Sequence, residues 1–250
     1  MGFIAKGITW FMPFVTCCQL IYGQFYTHRY EAGISGGTFV YQGDLTPSDL
    51  GSYQTIAPGI GFFAGRILDR SFAVRINFNF GRLEGDDAIY AKPEYRRQRN
   101  FKFSTPVTEF SGVLVWNILA KNGAEQPRGL SPYIFGGVGL SLLHISRDWS
   151  NYKAAYFNSE SLSNGLVSDI AHSTPRASLV LPAGIGLKYA ITKNLSLAAE
   201  TGYRFMFTDY LDGFSQAVNP GKKDSYHTHS IGLIFSLGYK DRYDCPTVKL

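Results

Sequence analysis

The chain has 250 residues, a net charge of +5, 17% charged residues and 15% aromatic residues, with a mean hydropathy near zero. Soluble domains carry about 25% charged residues, so this profile is low in charge and rich in rings. It excludes a helical membrane protein, because no interior run approaches the roughly 20 apolar residues of a spanning helix, and its length suits one large all-β domain or two small domains.

The first element is "MGFIAKGITWFMPFVTCCQLIYGQ". Lys6 is followed by an apolar core from Gly7 to about Cys18, and then by Gly23. This reads as a secretory signal peptide over residues 1–24, cleaved near Gly23 or Gln24. Cys17 and Cys18 follow Phe14, Val15 and Thr16, which fit a lipoprotein site poorly. With the leader removed, Cys245 is the only cysteine. An internal disulfide and a four-cysteine metal site are then excluded.

Residues 25–250 are predicted to form one eight-stranded barrel with a short C-terminal tail. The strands read as 29–41, 55–67, 71–82, 106–119, 132–145, 178–191, 195–208 and 226–240. In the third, "SFAVRINFNFG", Phe72, Val74, Ile76, Phe78 and Phe80 alternate with Ala73, Arg75, Asn77, Asn79 and Gly81. Such alternation gives a strand two unlike faces. The joins at 68–70, 120–130 and 192–194 are the shorter ones; those at 42–54, 83–105, 146–177 and 209–225 are long. Short turns at one end, long loops at the other and an even strand count are the layout of an outer-membrane barrel. The expected fold is therefore all-β, an eight-stranded antiparallel transmembrane barrel of the small OmpA/OmpX-like kind, located in the bacterial outer membrane. Pro58 and Pro182 lie inside strand segments, lack a ladder donor, and mark places for a bulge. The fifth strand, "PYIFGGVGLSLLH", carries apolar residues on both parities, so its facing stays open.

Glycine decides which face is wet. Gly33, Gly37, Gly59, Gly61, Gly65, Gly81, Gly184, Gly186, Gly202, Gly232 and Gly238 share the polar parity. Glycine weakens strands, so a solvated surface has no reason to collect it. An eight-stranded lumen does, being only just wide enough for side chains. The polar face therefore points inward and the phenylalanines point at lipid. The same parity places Glu31, Glu109 and Glu200 with Arg75, Lys188 and Arg204 in the lumen. Three acids and three bases neutralise one another in a confined space, so the reading is a plugged polar network rather than a conducting pore. Tyr30, Trp116, Tyr133, Tyr189, Tyr203 and Tyr239 are expected in the interfacial girdles.

No enzyme signature emerges. His227 and His229 share a strand face two residues apart, a spacing that can seat a metal. No further ligand is visible, so they read as histidines at the membrane rim and no metal ligand is assigned. His144 and His172 flank a loop containing Ser146, Asp148, Ser150, Asp169 and Ser173. Any long polar loop offers such combinations, and no catalytic triad is assigned. "GISGG" at 33–37 lies within a strand and is no phosphate loop. The basic run "KPEYRRQRNFK" at 92–102 reads as a solvated loop. No cofactor, small-molecule substrate or nucleic-acid partner is expected.

Five stretches carry a resemblance. They are "YQGDL" at 41–45, "GDD" at 85–87 with "RRQRNFKF" at 96–103, "SPYIFGGVGL" at 131–140, "GYRFMFTDYLDGFS" at 202–215 and the tail "DRYDCPTVKL". Together they resemble the PorG-type outer-membrane barrel of the type IX secretion system, a DUF6089-like family. The resemblance implies a non-enzymatic component of a machine that exports proteins across the outer membrane and serves gliding motility in some bacteria. It also implies a place beside a periplasmic ring that contains a lipoprotein. The residues it carries over are motif members: Asp86, Asp87, Arg97, Arg99, Asn100, Asp209, Tyr210, Leu211 and Asp212. Their loops belong to the long-loop end, so contact with a periplasmic ring is expected through the turn at 120–130 and the tail at 241–250. The alternative is a generic small barrel acting as an adhesin or membrane tether through its long loops. A membrane lipid hydrolase and a soluble lipocalin-like carrier are further readings; the glycine distribution argues against the carrier.

Overall fold

The computed structural model describes residues 30–48, 50–122, 129–157, 160–221 and 223–238. The leader at 1–24, Tyr239, Cys245 and the tail at 241–250 lie outside the described residues. Eight long strands close into an antiparallel barrel: β1 (Tyr30–Gln42), β2 (Ala57–Ile67), β3 (Phe72–Asp86), β4 (Lys102–Asn117), β5 (Leu130–Leu143), β7 (Ala177–Ala190), β8 (Leu195–Met206) and β9 (Ser225–Leu237). The short β6 (Ser146–Asp148) extends the β4 edge beyond the barrel. The hydrogen-bonded order is β3-β2-β1-β9-β8-β7-β5-β4, and the β3–β4 pairing closes the ring. First and last strands meet along 13 pairs, from Tyr30↔Leu237 to Gln42↔Ser225, so every spanning strand edge is satisfied.

The alternation sorts as the glycines require. Phe62, Phe78, Phe110, Leu114, Leu181, Ile185, Phe205, Ile231 and Phe235 stand exposed on the outer wall, while Glu31, Arg75, Glu109 and Arg204 are buried within. The fifth strand resolves the same way: Tyr133 and Phe135 point in, and Ile134, Val138, Leu140 and Leu142 point out. A methyl group added at inward Gly59 or Gly81 would collide with the Phe39 ring, and one at Gly186 with the Tyr133 ring. Outward Gly36, Gly112 and Gly136 have open space instead.

Three expectations need correction. The prolines make no bulge. The β1–β2 register runs unshifted through Thr38↔Pro58, and the β5–β7 ladder only skips the positions opposite Pro182, with one register on both sides of the gap. A missing donor removes a rung without inserting a residue. Tyr133 is no girdle residue: it is 2% exposed, inside the barrel. Tyr30, Trp116 and Tyr189 do stand exposed toward the short-turn end. Third, the basic run at 92–102 is only partly solvated, since Arg96 and Arg99 are buried.

Candidate functional site

Two ion clusters fill the barrel. In the first, Glu31 lies between Lys188 Nζ at 2.7 Å and Arg75 at 3.7 Å. Arg75 also reaches Glu200 Oε1 at 2.9 Å, and the Tyr133 hydroxyl donates to that same oxygen. The guanidinium lies 4.4 Å from the Phe63 ring centre and 5.1 Å from that of Tyr133, both within cation–π range. In the second cluster Glu109 accepts four hydrogen bonds. Ser111 and Asn79 serve Oε1 at 3.0 and 3.1 Å, and Arg204 Nε and the Tyr226 hydroxyl serve Oε2 at 3.2 and 2.8 Å. Arg204 donates further to Thr228 at 2.6 Å. Buried charges demand such saturation. Between the clusters lies a cavity of about 40 Å³, lined by Ser35, Asn77, Asn79, Arg75 and Arg204 among others. It has room for a few water molecules.

Above the clusters the long loops fold into a cap with its own apolar core. Phe39, Tyr41, Leu45, Leu83, Phe101, Phe103, Leu211, Phe214 and Tyr226 pack together, with Phe101 and Phe214 stacked at 4.4 Å. This core draws on every long loop and on the upper ends of the strands.

The loop motif residues are the polar fastenings of that cap. Asp86 caps the turn at 87–89 by accepting from Ala88 N at 2.8 Å, and it pairs with Lys102 at 2.9 Å. Asp87 is fully buried. Arg99 grips it through Nε at 2.5 Å and a second nitrogen at 2.8 Å, and Arg96 adds a contact at 3.2 Å. The short helix α1 (Tyr95–Arg99) holds both arginines, and Asn100, at φ 52°, ends it in the left-handed region that asparagine tolerates. Arg97 stays exposed. Across the cap, Asp209 accepts from the Ser215 hydroxyl at 2.6 Å and from Gly221 N at 3.1 Å. Tyr210 stacks on His172 at 4.2 Å. Leu211 is fully buried, its carbonyl accepting from Thr105 at 2.9 Å. The Tyr41 hydroxyl lies 2.7 Å from Asp212 Oδ2 and 2.8 Å from Asp224 Oδ1. Helix α2 (Glu160–Ala171) contributes Asp169, whose carboxylate accepts from the successive amides of Ser215, Gln216 and Ala217 at 2.9–3.2 Å.

The candidate Ser, His and Asp residues of loop 144–176 scatter among these tasks. Asp169 is engaged by the three amides, His172 by Tyr210, and Asp148 by its neighbour Ser150 N at 2.8 Å. His144 is exposed. Sequence reasoning missed Tyr41, Asp224, Tyr133 and Tyr226 as network members. Inward parity was the available signal for Tyr133 and Tyr226; Tyr41 and Asp224 meet only through the closed fold. It also missed Tyr53, which joins His227 and His229 on the outer wall.

The model of one protein family, described as Domain of unknown function (DUF6089), matches residues 11–243. No curated protein matches the chain. Among solved structures, Ail, the attachment invasion locus protein of Yersinia pestis, is 12% identical, with 84% of this chain and 99% of that chain covered and a TM-score of 0.45. OprG from Pseudomonas aeruginosa is 13% identical, with 86% and 100% covered and a TM-score of 0.44. Neisserial surface protein A is 18% identical, with 83% and 97% covered and a TM-score of 0.42. These likenesses are of fold.

Proposed function

The chain belongs to the DUF6089 family, and on that premise we propose that it is a non-enzymatic outer-membrane barrel of the type IX protein secretion machinery, serving export and gliding motility by anchoring or contacting the periplasmic lipoprotein ring. An outer-membrane setting is supported by the belt of exposed apolar side chains around a closed barrel, which needs hydrocarbon on all sides. The observation that carries the anchoring role is the double closure of the lumen. Ion clusters fill the barrel and a packed cap covers it, so no cargo threads it. What such a barrel offers a secretion machine is a fixed point in the membrane with surfaces at both ends. The long loops face outward from the cell, and contact with the ring falls to the turn at 120–130 and the tail at 241–250, much of which lies outside the described residues. The secretion role itself rests on the five stretches of motif resemblance.

Affinity purification from detergent-solubilised outer membranes, with and without the turn shortened to three residues, tests this reading. Co-purification of a periplasmic lipoprotein ring, lost on shortening, is expected. Unchanged co-purification removes the turn from the contact. Deleting the gene is expected to produce a general secretion defect. The second reading, an adhesin or tether, is favoured by apolar side chains on the outer face of α2: Val167 is 66% and Ile170 45% exposed. Loss of surface binding with secretion intact would choose that reading.

A further inference from the structure

His227 and His229 stand on the outer face of β9, in line with Ile231, Leu233 and Phe235 below them. Two residues apart on a strand, their rings project to one side, with centres 5.2 Å apart. The first long loop folds back over this wall. Ser52 N donates to the Tyr41 carbonyl at 3.2 Å, and the following turn brings Tyr53 over both imidazoles. The Tyr53 hydroxyl oxygen lies 3.2 Å from His227 Nε2 and 3.3 Å from His229 Nε2. Behind the pair, Thr201 Oγ1 lies 3.1 Å from His229 Nδ1.

We propose that His227, His229 and Tyr53 form a binding site for a transition-metal dication of the Zn²⁺ or Cu²⁺ class. Imidazole nitrogens are the ligands such ions favour. Ligand atoms held about 2.0–2.1 Å from a tetrahedral ion lie roughly 3.3 Å from one another, and the two oxygen–nitrogen distances match that edge. The outer contact of His229 is the orienting kind: a proton on Nδ1 donated to Thr201 leaves the Nε2 lone pair aimed at Tyr53. Without a metal the phenol donates to His229 Nε2 and accepts an N–H from His227 Nε2, so a metal must displace this hydrogen-bonded pair. A cation placed among the three atoms satisfies both nitrogens as ligands. The phenol O–H bond breaks, the oxygen keeps the electron pair and forms the metal bond, and the proton leaves to solvent. Tyr53 is 57% exposed, so the fourth coordination position is open to water. Among the described residues no group of three His, Cys, Asp or Glu gathers for a metal; here the third ligand is a phenol.

The test uses the full chain folded in detergent micelles with its cysteines alkylated. Titration with Cu²⁺ and Zn²⁺, followed by calorimetry and metal analysis, is expected to give one ion per barrel with release of a proton. Cu²⁺ is expected to add a visible phenolate-to-copper charge-transfer band. His227→Ala and His229→Ala are each expected to weaken binding at least tenfold, Tyr53→Phe to abolish the band, and Thr201→Val to weaken binding by about tenfold, as a lost orienting partner does. His144→Ala/His172→Ala is expected to bind as the parent does. Folding of every variant is read from its heat-dependent gel mobility. The proposal is overturned if the parent binds neither ion, if a folded His227→Ala/His229→Ala double variant binds like the parent, or if binding disappears with His144 and His172 instead.

Discussion

Tyr41 has one phenolic proton, and two buried carboxyl groups sit at hydrogen-bond distance from it, while its oxygen also accepts from Asp44 N at 3.0 Å. One carboxylate takes the phenol's proton and the other carboxyl must bring its own. Burial pushes Asp212 well above the usual carboxylate range, helped by the charges of Asp224 and Asp44. Burial likewise raises Asp224 to about 8, against the hydrogen bond from Tyr41, with Asp44 and Asp209 adding repulsion. Arg99 is the cation that senses Asp212, but its guanidinium is committed to Asp87. The native cap thus holds a proton that the unfolded chain releases above its ordinary carboxyl value of 3.8. Stability falls with rising pH wherever the native state binds more protons than the unfolded chain. The cap is therefore expected to weaken as pH rises from about 4 to about 8. Amide exchange of residues 209–224, corrected for intrinsic rates, measures this, and Asp224→Asn should flatten the profile. Protection that grows with pH would contradict it. Asp87 makes the companion case without titration. Asp87→Ala strands two buried guanidinium groups and should cost about 3–5 kcal/mol of cap stability, seen as faster tryptic cleavage in the 95–99 helix. Breaking the exposed Arg82–Glu84 pair should cost under about 1 kcal/mol. None of this was legible in the basic run itself. Arg96 and Arg99 look solvated until the chain bends to bring Asp87 under them.

At the scale of a strand, side-chain parity carries most of what the sequence foretells. The facing of β3 was readable because its outer positions are bulky and its inner positions small or polar. β5 was not, because its inward set includes Tyr133 and Phe135, which pack with Val113 and Val115 in a small apolar cluster inside the barrel. β3 and β4 run further than their hydrophobic alternation suggests, for a different reason. Their ladder continues through Arg82↔Pro106 to Asp86↔Lys102, past the apolar belt, where charged outer residues imitate a loop. The cap was invisible because its core joins residues as distant in sequence as Leu45, Phe101 and Phe214. The inward glycines supply a sharp test. Gly59 and Gly81 are cross-strand partners, and together they form the surface on which the Phe39 ring rests; Phe39 stacks in turn on Tyr226 at 5.7 Å. Gly81→Val therefore overpacks a filled interior and should lose about 1–3 kcal/mol or more. Gly136→Val adds the same side chain to open space on the outer wall and should be neutral or gain up to about 1 kcal/mol from the stiffer unfolded chain. Urea unfolding of both variants in lipid vesicles compares them directly. Equal destabilisation would mean that the two faces had been assigned wrongly.

For the whole molecule, the decisive property is that closure is built twice, by unlike means. An eight-stranded ring leaves a lumen only wide enough for its own side chains. Here that space holds three acids and three bases paired with one another, and the cavity left between them is about 40 Å³. Such a plug owes its firmness to electrostatics in a medium of low dielectric, where removing one partner exposes a bare charge. The cap above it owes its firmness to apolar burial and to Asp87, Asp169 and the Tyr41 pair. The two layers share Phe39, Tyr41 and Tyr226 at their junction but otherwise depend on different residues, so loosening one leaves the other in place. The parent protein is accordingly expected to give no steady single-channel steps in planar bilayers. Asp87→Ala, which weakens only the cap, should also give none. Exchanging Arg75 and Glu200 for alanine together takes out the middle of the lower plug without leaving either charge of that pair alone, and it still leaves Arg204–Glu109 across the lumen, so conduction should stay absent there too. Only a variant combining Asp87→Ala with loss of both clusters is expected to conduct. Steady conductance from the parent would show that the lumen is an open path, and the anchoring role argued from its closure would fail with it.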